Sequence, residues 1–231
     1  MTKTEPVVFL LDVDNTLLDN DLVIDDLKDH LISAFGPRRQ GRYWTIFEGL
    51  RSELGYADYL GALQRFRVEN PHEPHFLHIS YFLLNYPFEE RLFPRALDVV
   101  RLLNAWGQGV ILSDGDVVFQ PYKVKRSGLL EAVDGRVLIY IHKEQELADV
   151  EKRFPAKHYV MVDDKLRLLT AMKGIWGTRL TTIFVRQGHY ATDADETAKY
   201  PPADISIERI GDLLRYDLPP ILAASAAGLT A

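Results

Sequence analysis

A doubly wound, Rossmann-like α/β fold with a parallel sheet is predicted by three features of this 231-residue chain. Short apolar, partly β-branched runs recur along it. Stretches with helical spacing of apolar residues alternate with those runs. Several of the runs also stop abruptly in acidic or hydroxyl residues. The first run, residues 7–11, is bounded by Pro6 and Asp12 and is too short for a helix, so it reads as a fully buried parallel strand. From Asp25 to about Tyr86 the chain reads as mostly helical: Ile24, Leu27, Leu31 and Phe35, then Leu50 and Leu54, recur at helical spacing, with breaks at Gly36-Pro37 and Asn70-Pro71. After Phe93-Pro94, a helix holding Ala96, Val99, Val100, Leu103 and Trp106 leads into a strand at 110–112 that ends in Ser113-Asp114-Gly115. Further strands are expected at 137–141, 159–162, 181–185 and 203–207, the last followed by a short helix from about Ile210. Such alternation favours right-handed crossovers and places ligands outside the carboxyl ends of the strands. The small-residue tail 223–231 is expected to be mobile, and the chain contains no internal repeat.

Composition narrows the function. A formal charge of -6, with no long stretch of Lys and Arg free of acids, gives no footprint for a nucleic acid polymer. The chain has no cysteine, so disulfides, thiolate nucleophiles and Cys-ligated zinc are excluded, and any metal must sit on oxygen or imidazole. The opening residues lack the apolar region and cleavage site of a secretory signal, and no apolar stretch approaches the roughly 20 residues of a membrane helix. A soluble cytoplasmic protein without membrane contact is the expectation.

Polar groups suited to one reaction stand at three strand ends: Asp12-Val13-Asp14-Asn15-Thr16, Ser113-Asp114-Gly115 and Asp163-Asp164. Acids at i and i+2 on a sheet end bring like charges together, which is costly unless a cation neutralises them or they share protons. Magnesium is the simplest such cation. One carboxylate can attack phosphorus. A second, two residues on, can protonate the leaving oxygen and then deprotonate the water that hydrolyses the aspartyl-phosphate.

In order and spacing these residues resemble the motifs of the haloacid dehalogenase superfamily. Asp12 to Thr16 fit its DxDx[TV] motif, Ser113 its strand-terminal hydroxyl, Lys143 its basic residue and Asp163-Asp164 its acidic pair. Asn15 stands where Gly is commoner, and Leu168 stands where a further acid four residues after Asp164 would help hold the metal. The resemblance implies a catalytic core of residues 1–18 and 92–231 and a small α-helical cap domain of residues 19–91. It also implies catalytic roles for Asp12 as nucleophile, Asp14 as general acid and base, Ser113 as hydrogen-bond donor to the phosphoryl group and Lys143 as the balancing charge. Mg2+ would be held by Asp12, the backbone carbonyl of Asp14, and Asp164, with Asp163 a direct or water-mediated ligand. The implied activity is hydrolysis of a small phosphorylated metabolite, since a cap excludes larger substrates.

Other readings accompany each assignment. A phosphomutase would return the phosphoryl group to its substrate, a dehalogenase would need no metal and generally lacks the Asp14 acid, and a binding module would keep the fold without turnover. Lys123 and Lys125 compete with Lys143 as the phosphate-facing cation, and the offset from the acidic pair favours Lys143. His72, His75 and His78 step by three, which rotates them around a helix, and Pro71 and Pro74 break the start, so a shared metal apex is not expected. Arg42, Tyr43, Arg51 and the loop Arg186 to His189 are weaker candidates for substrate contact. An apolar helical face can pack on the core or on another subunit, so the pattern fixes no oligomeric state.

Overall fold

The computed structural model describes residues 5–216 together with Leu218; the tail expectation for 223–231 lies outside the described residues. Strand β1 (Glu5–Leu11) is followed by four helices, α1 (Asn20–Phe35), α2 (Pro37–Leu54), α3 (Tyr59–Glu69) and α4 (Phe76–Asn85). The chain then alternates through α5 (Ala96–Trp106), β2 (Gln108–Asp114), α6 (Phe119–Arg126), α7 (Leu129–Ala132), β3 (Val137–Tyr140), α8 (Leu147–Arg153) and β4 (Ala156–Asp163). It closes with α9 (Leu166–Trp176), β5 (Leu180–Val185), α10 (Gly188–Thr192), α11 (Ala194–Thr197), β6 (Ile205–Ile207) and a 3-10 helix, Ile210–Arg215. Gly36, at φ 80°, divides α1 from α2, as the Gly36-Pro37 break predicts.

All pairings in the six-stranded sheet are parallel, in the order β3-β2-β1-β4-β5-β6. Alternate side chains feed two apolar layers, the expected result of the two-residue period of a strand covered on both faces. Phe9, Leu11, Ile111, Val160 and Val162 face α5 and the inserted helices, whereas Val8, Leu10, Val110, Tyr159 and Met161 face α8 and α9. The order reverses between β1 and β4, so the carboxyl ends of these two neighbours form the crevice where a doubly wound sheet binds ligands.

The inserted helices share a core with one sheet face. Their buried Leu31, Phe66 and Ile79 continue the same apolar cluster as Phe9 and Val162. Aromatic contacts bridge the two parts: Tyr59 to Phe119 at 5.3 Å, Phe119 to Phe88 at 5.6 Å, and Phe88 to Tyr86 at 4.9 Å between ring centres. At about 1.5–3 kcal/mol for each fully buried large apolar side chain, this burial outweighs any single ion pair in holding the helices over the strand ends. The segments that enter and leave the insertion run side by side: Asp19 N donates to Arg91 O (2.8 Å) and Phe93 N to Leu17 O (2.9 Å). Arg91 also reaches back to Asp26 at 2.7 Å. No helix among the described residues is long and apolar enough to cross a membrane.

Element ends depart modestly from the sequence expectation. β2 extends through Ser113 and Asp114 because both still pair with β3, and β4 extends through Asp163 because it pairs with Phe184. β3 stops at Tyr140, β6 is only three residues long, and the closing helix from Ile210 is of the tighter 3-10 kind.

One buried titrating group lies in this core. His158 on β4 is 2% exposed, its Nε2 is 2.9 Å from Thr181 Oγ1, and its Nδ1 has no partner. Burial pushes its pKa below the ordinary 6.5, with Lys173 adding to the effect. Protonation is thus easier in the unfolded chain. Stability is full above about pH 6.5 and falls as pH drops through that value toward the depressed folded one. Urea midpoints at pH 7.5 and 5.5 are expected to differ less in His158→Gln than in the wild type; equal differences would show that another group sets the slope.

Candidate active site

Asp12 follows the last residue of β1 and remains tied to the sheet, its N donating to Val162 O of β4 at 3.0 Å. The chain then turns tightly: Leu17 N and Leu18 N both donate to Val13 O at 2.9 Å, and Asn15 N to Leu18 O at 2.7 Å. Asn15 sits at φ 61°, a left-handed conformation that Gly and Asn adopt with least strain, so Asn serves where Gly is commoner. Its Oδ1 accepts from Asn20 N (3.0 Å) and Asp21 N (3.1 Å), which caps the start of α1 and fastens the turn to the insertion.

Asp12, Asp163 and Asp164 are buried together, each offering an oxygen within 4.8 Å of the others. Lys143, 1% exposed, lies among them with Nζ 2.6 Å from Asp12 Oδ1, 2.7 Å from Asp163 Oδ2 and 3.3 Å from Leu112 O. Burial alone would lower the Lys143 pKa; attraction to Asp12, Asp163 and Asp114 reverses this and holds the ammonium protonated. Burial pushes the Asp163 carboxyl up against the pull of Lys143, and pushes Asp164 well above the carboxylate range against the pull of Lys165. Asp12 Oδ2 and both oxygens of Asp164 are buried without a partner. Desolvated carboxylate oxygens left unpaired cost several kcal/mol each, so they mark a place for a cation. An all-oxygen donor set with no imidazole fits a hard ion such as Mg2+.

A second cluster surrounds Asp14. Lys123, on α6 and 1% exposed, donates from Nζ to Asp14 Oδ1 at 2.6 Å and to Asn20 Oδ1 at 2.9 Å. Gln120, one turn earlier, donates to Ser113 Oγ at 2.9 Å and to Asp14 Oδ2 at 3.3 Å. Two of the three lysines weighed in the sequence, Lys143 and Lys123, therefore reach the site, on different carboxylates, whereas Lys125 is exposed. Gln120 and Asn20 had no sequence signal. Asp114, to which the sequence assigned no role of its own, ends β2 and accepts from Lys143 N at 2.7 Å, which fixes the loop that carries the lysine.

A cavity of about 510 Å³ opens from Asp14, Asp114 and Lys165 and is roofed by α1, α2 and the start of α3. Arg51 of α2 donates from Nη2 to the Tyr190 hydroxyl of α10, and a Cβ at Gly55 would lie 2.8 Å from the His142 ring, so the roof touches the sheet side at two places. His189 lines the cavity and bonds Asp21 (2.6 Å). Arg42 does not line it, pairing instead with Glu69 at 2.8 Å, and the Tyr43 hydroxyl is spent on Tyr59 O at 2.9 Å. Arg186 faces Glu208 at 3.7 Å, and Gln187 spans Thr16 O and Ile210 N. His72, His75 and His78 are remote from the cavity, His75 bonding Glu73 at 2.6 Å, and none joins a potential metal group among the described residues.

No protein-family model and no curated protein matches the chain. Among solved structures, a haloacid dehalogenase-like hydrolase of Burkholderia xenovorans is 60% identical over 92% of this chain and 96% of its own, with a TM-score of 0.87. A HAD-hydrolase of Bacillus subtilis bound to magnesium is 16% identical over 92% of this chain and 98% of its own (TM-score 0.60). The L-2-haloacid dehalogenase of Xanthobacter autotrophicus is 18% identical over 90% of this chain and 96% of its own (TM-score 0.58). The last two share the fold alone. The parallel sheet with its carboxylates at the β1 and β4 ends, together with the 60% identity across nearly the whole chain, makes this protein a member of the haloacid dehalogenase-like hydrolase family.

Proposed function

We propose that the protein is a magnesium-dependent phosphohydrolase that cleaves a small phosphate monoester through an aspartyl-phosphate on Asp12, in the cytoplasm. The observation that carries this reading is the set of buried, unpartnered oxygens on Asp12 and Asp164 beside Lys143, with a further acid, Asp14, two residues from Asp12.

Lys143 fixes the orientation of the Asp12 carboxylate. A carboxylate oxygen of Asp12 attacks phosphorus in line, the bond from phosphorus to the ester oxygen breaks, and that oxygen takes a proton from Asp14. Asp14 then takes a proton from water. The water oxygen attacks the same phosphorus, the Asp12–phosphorus bond breaks, and inorganic phosphate leaves with Asp12 regenerated. Ser113 accepts from Gln120 at 2.9 Å and donates only a long bond to Asp114 O at 3.3 Å, which its hydroxyl proton can exchange for a phosphoryl oxygen. Lys123 and Gln120 hold Asp14 in place through its two oxygens. The Asp12 and Asp164 carboxylates and the Asp14 carbonyl would hold Mg2+, with Asp163 as ligand or water-mediated support, and the bound ion would supply charge neutralisation to the transferring group. The helices of residues 19–91 act as a cap that excludes bulk water and admits small molecules only. Dehalogenation, the reaction in the Xanthobacter protein's name, is disfavoured by the acid at Asp14, since a halide leaving group needs no proton.

Asp12→Asn is expected to lower phosphate release by at least about a thousandfold with an unchanged melting temperature, because the amide is nearly isosteric and a poor nucleophile. Chelator should stop the wild type equally; turnover surviving both treatments would refute the nucleophile. Magnesium is expected to raise the melting temperature of the wild type and not of Asp164→Asn, as preferential binding to the folded state requires. Lys143→Met strands Asp12 and Asp163 without their shared cation and should cost about 3–5 kcal/mol in urea unfolding. A loss below about 1 kcal/mol would mean that the pair is solvated.

A further inference from the structure

We infer that the roofed cavity selects phosphate esters whose leaving alcohol carries a flat, uncharged ring, such as a nucleoside 5′-monophosphate or an aryl phosphate. This rests on the phosphohydrolase reading for the position of the phosphate and goes beyond it in naming what lies on the other side of the ester oxygen.

The cavity is large enough for such a molecule: about 510 Å³ lies within the range that encloses ligands of this size. Its walls are aromatic on both sides. From the inserted helices come Trp44, Phe47, Tyr56 and Tyr59, of which Phe47 stacks on Tyr59 at 4.8 Å and Trp44 meets Phe47 edge-on at 5.0 Å. From the sheet side come Tyr190 and Tyr200. Tyr190 also ties the aromatic wall to the phosphate end, since Lys165, the neighbour of Asp164, places its Nζ 5.1 Å from the ring centre. Phe47 and Tyr59 are themselves buried and serve as backing, so the rings open to a ligand are Trp44 and Tyr56 on one side and Tyr190 and Tyr200 on the other, and such surfaces suit a planar ring by stacking, which tolerates any ring with a π-face.

Charge decides against the alternatives. A bisphosphate or a phosphorylated acid would require spare cations away from Asp12. The cations in the cavity wall are instead already matched: Lys28 with Asp25 at 2.8 Å, Arg51 with Glu48 at 3.5 Å, and Arg167 with Glu144 at 3.0 Å. Among the described residues only Lys165 lines the cavity without a carboxylate at ion-pair distance, and it stands beside the acidic pair, where the first phosphate is needed. A second anion on the leaving group would instead meet Glu48 and Glu196, which line the same cavity.

The test compares kcat/KM with magnesium for adenosine and uridine 5′-monophosphates and 4-nitrophenyl phosphate against glycerol 3-phosphate, phosphoglycolate and fructose 1,6-bisphosphate. Calorimetric binding of the same compounds to magnesium-loaded Asp12→Asn runs in parallel. Ring-bearing esters are expected to lead by tenfold or more, on the scale of one stacked ring. Trp44→Leu and Tyr190→Leu should each erode that lead through KM; Tyr190→Leu keeps the test sound if the Trp44 change unfolds the roof. Equal or better kcat/KM for the acyclic or doubly anionic esters overturns the inference while leaving the phosphohydrolase reading intact. If no ester turns over, that reading fails; tighter binding of the ring-bearing compounds to Asp12→Asn would still support the aromatic slot, and binding without ring preference would overturn it.

Discussion

Three carboxylates with one ammonium among them, sealed at the ends of two neighbouring parallel strands, set the terms for the rest of this structure. Asp12, Asp163 and Asp164, if all ionised, would carry more negative charge than Lys143 at 2.6 and 2.7 Å and the nearby Lys165 can offset, which is why burial pushes Asp163 and Asp164 toward their neutral forms, and the Asp164 carboxyl has no hydrogen-bond partner. Water would ordinarily solvate such oxygens. Here they are almost fully buried, so the fold maintains an electrostatic deficit that a hard cation would relieve. Burial of this kind also makes the site useful, because charges act more strongly on a transferring group where the local dielectric is low.

The sheet is what makes that arrangement tolerable. β1 and β4 pair over six registered positions from Glu5 to Leu11, so Asp12 and Asp163 emerge side by side with little freedom to move apart. Lys143 approaches from the loop after β3, two strands away, and is kept there by Asp114 at the end of β2. The members thus come from three strand ends, those of β1, β3 and β4, and repulsion among the acids is resisted by the combined hydrophobic burial of both sheet faces. The turn after Asp12 extends the same rigidity to the inserted helices, because the Asn15 amide caps α1 while its backbone shapes the loop.

Much of this was legible in the sequence, for identifiable reasons. A strand buried on both faces is a continuous apolar run, so residues 7–11 and 159–162 could be read directly, and the polar residues that stop them marked the crevice. Strand ends were less legible, since Ser113, Asp114 and Asp163 join the ladder through their neighbours' backbone and not through any propensity of their own. Contacts across long stretches of chain left no local trace: Lys123 meets Asp14 from 109 positions away, and Gln120 meets Ser113 and Asp14 by virtue of how α6 packs. Arg42 and Arg51 illustrate the limit within a single helix. Nine residues at about 100° each put them on opposite sides of α2, so at most one could face the site, but the choice depends on how the helix seats against the sheet. Packing turned Arg42 to Glu69 and Arg51 to the cavity.

The two buried lysines also divide the site in a way that neither residue type nor spacing expresses. Lys143 serves Asp12 and Asp163, and Lys123 serves Asp14 and Asn20. A single shared cation would couple Asp12 to Asp14, so that moving one carboxylate would disturb the other. With separate partners, Asp12 is held from the β3 side and Asp14 from α6, and the half-exposed Asp14 carboxylate faces the cavity from which a leaving group would come. Asn20 joins this second cluster from the first residue of α1, so the geometry around Asp14 depends on where the inserted helices sit, while that around Asp12 depends on the sheet alone. Movement of the roof would therefore alter the surroundings of Asp14 and leave Asp12 fixed, which is the asymmetry that the proposed reaction, with an invariant phosphoryl group and a variable leaving group, requires.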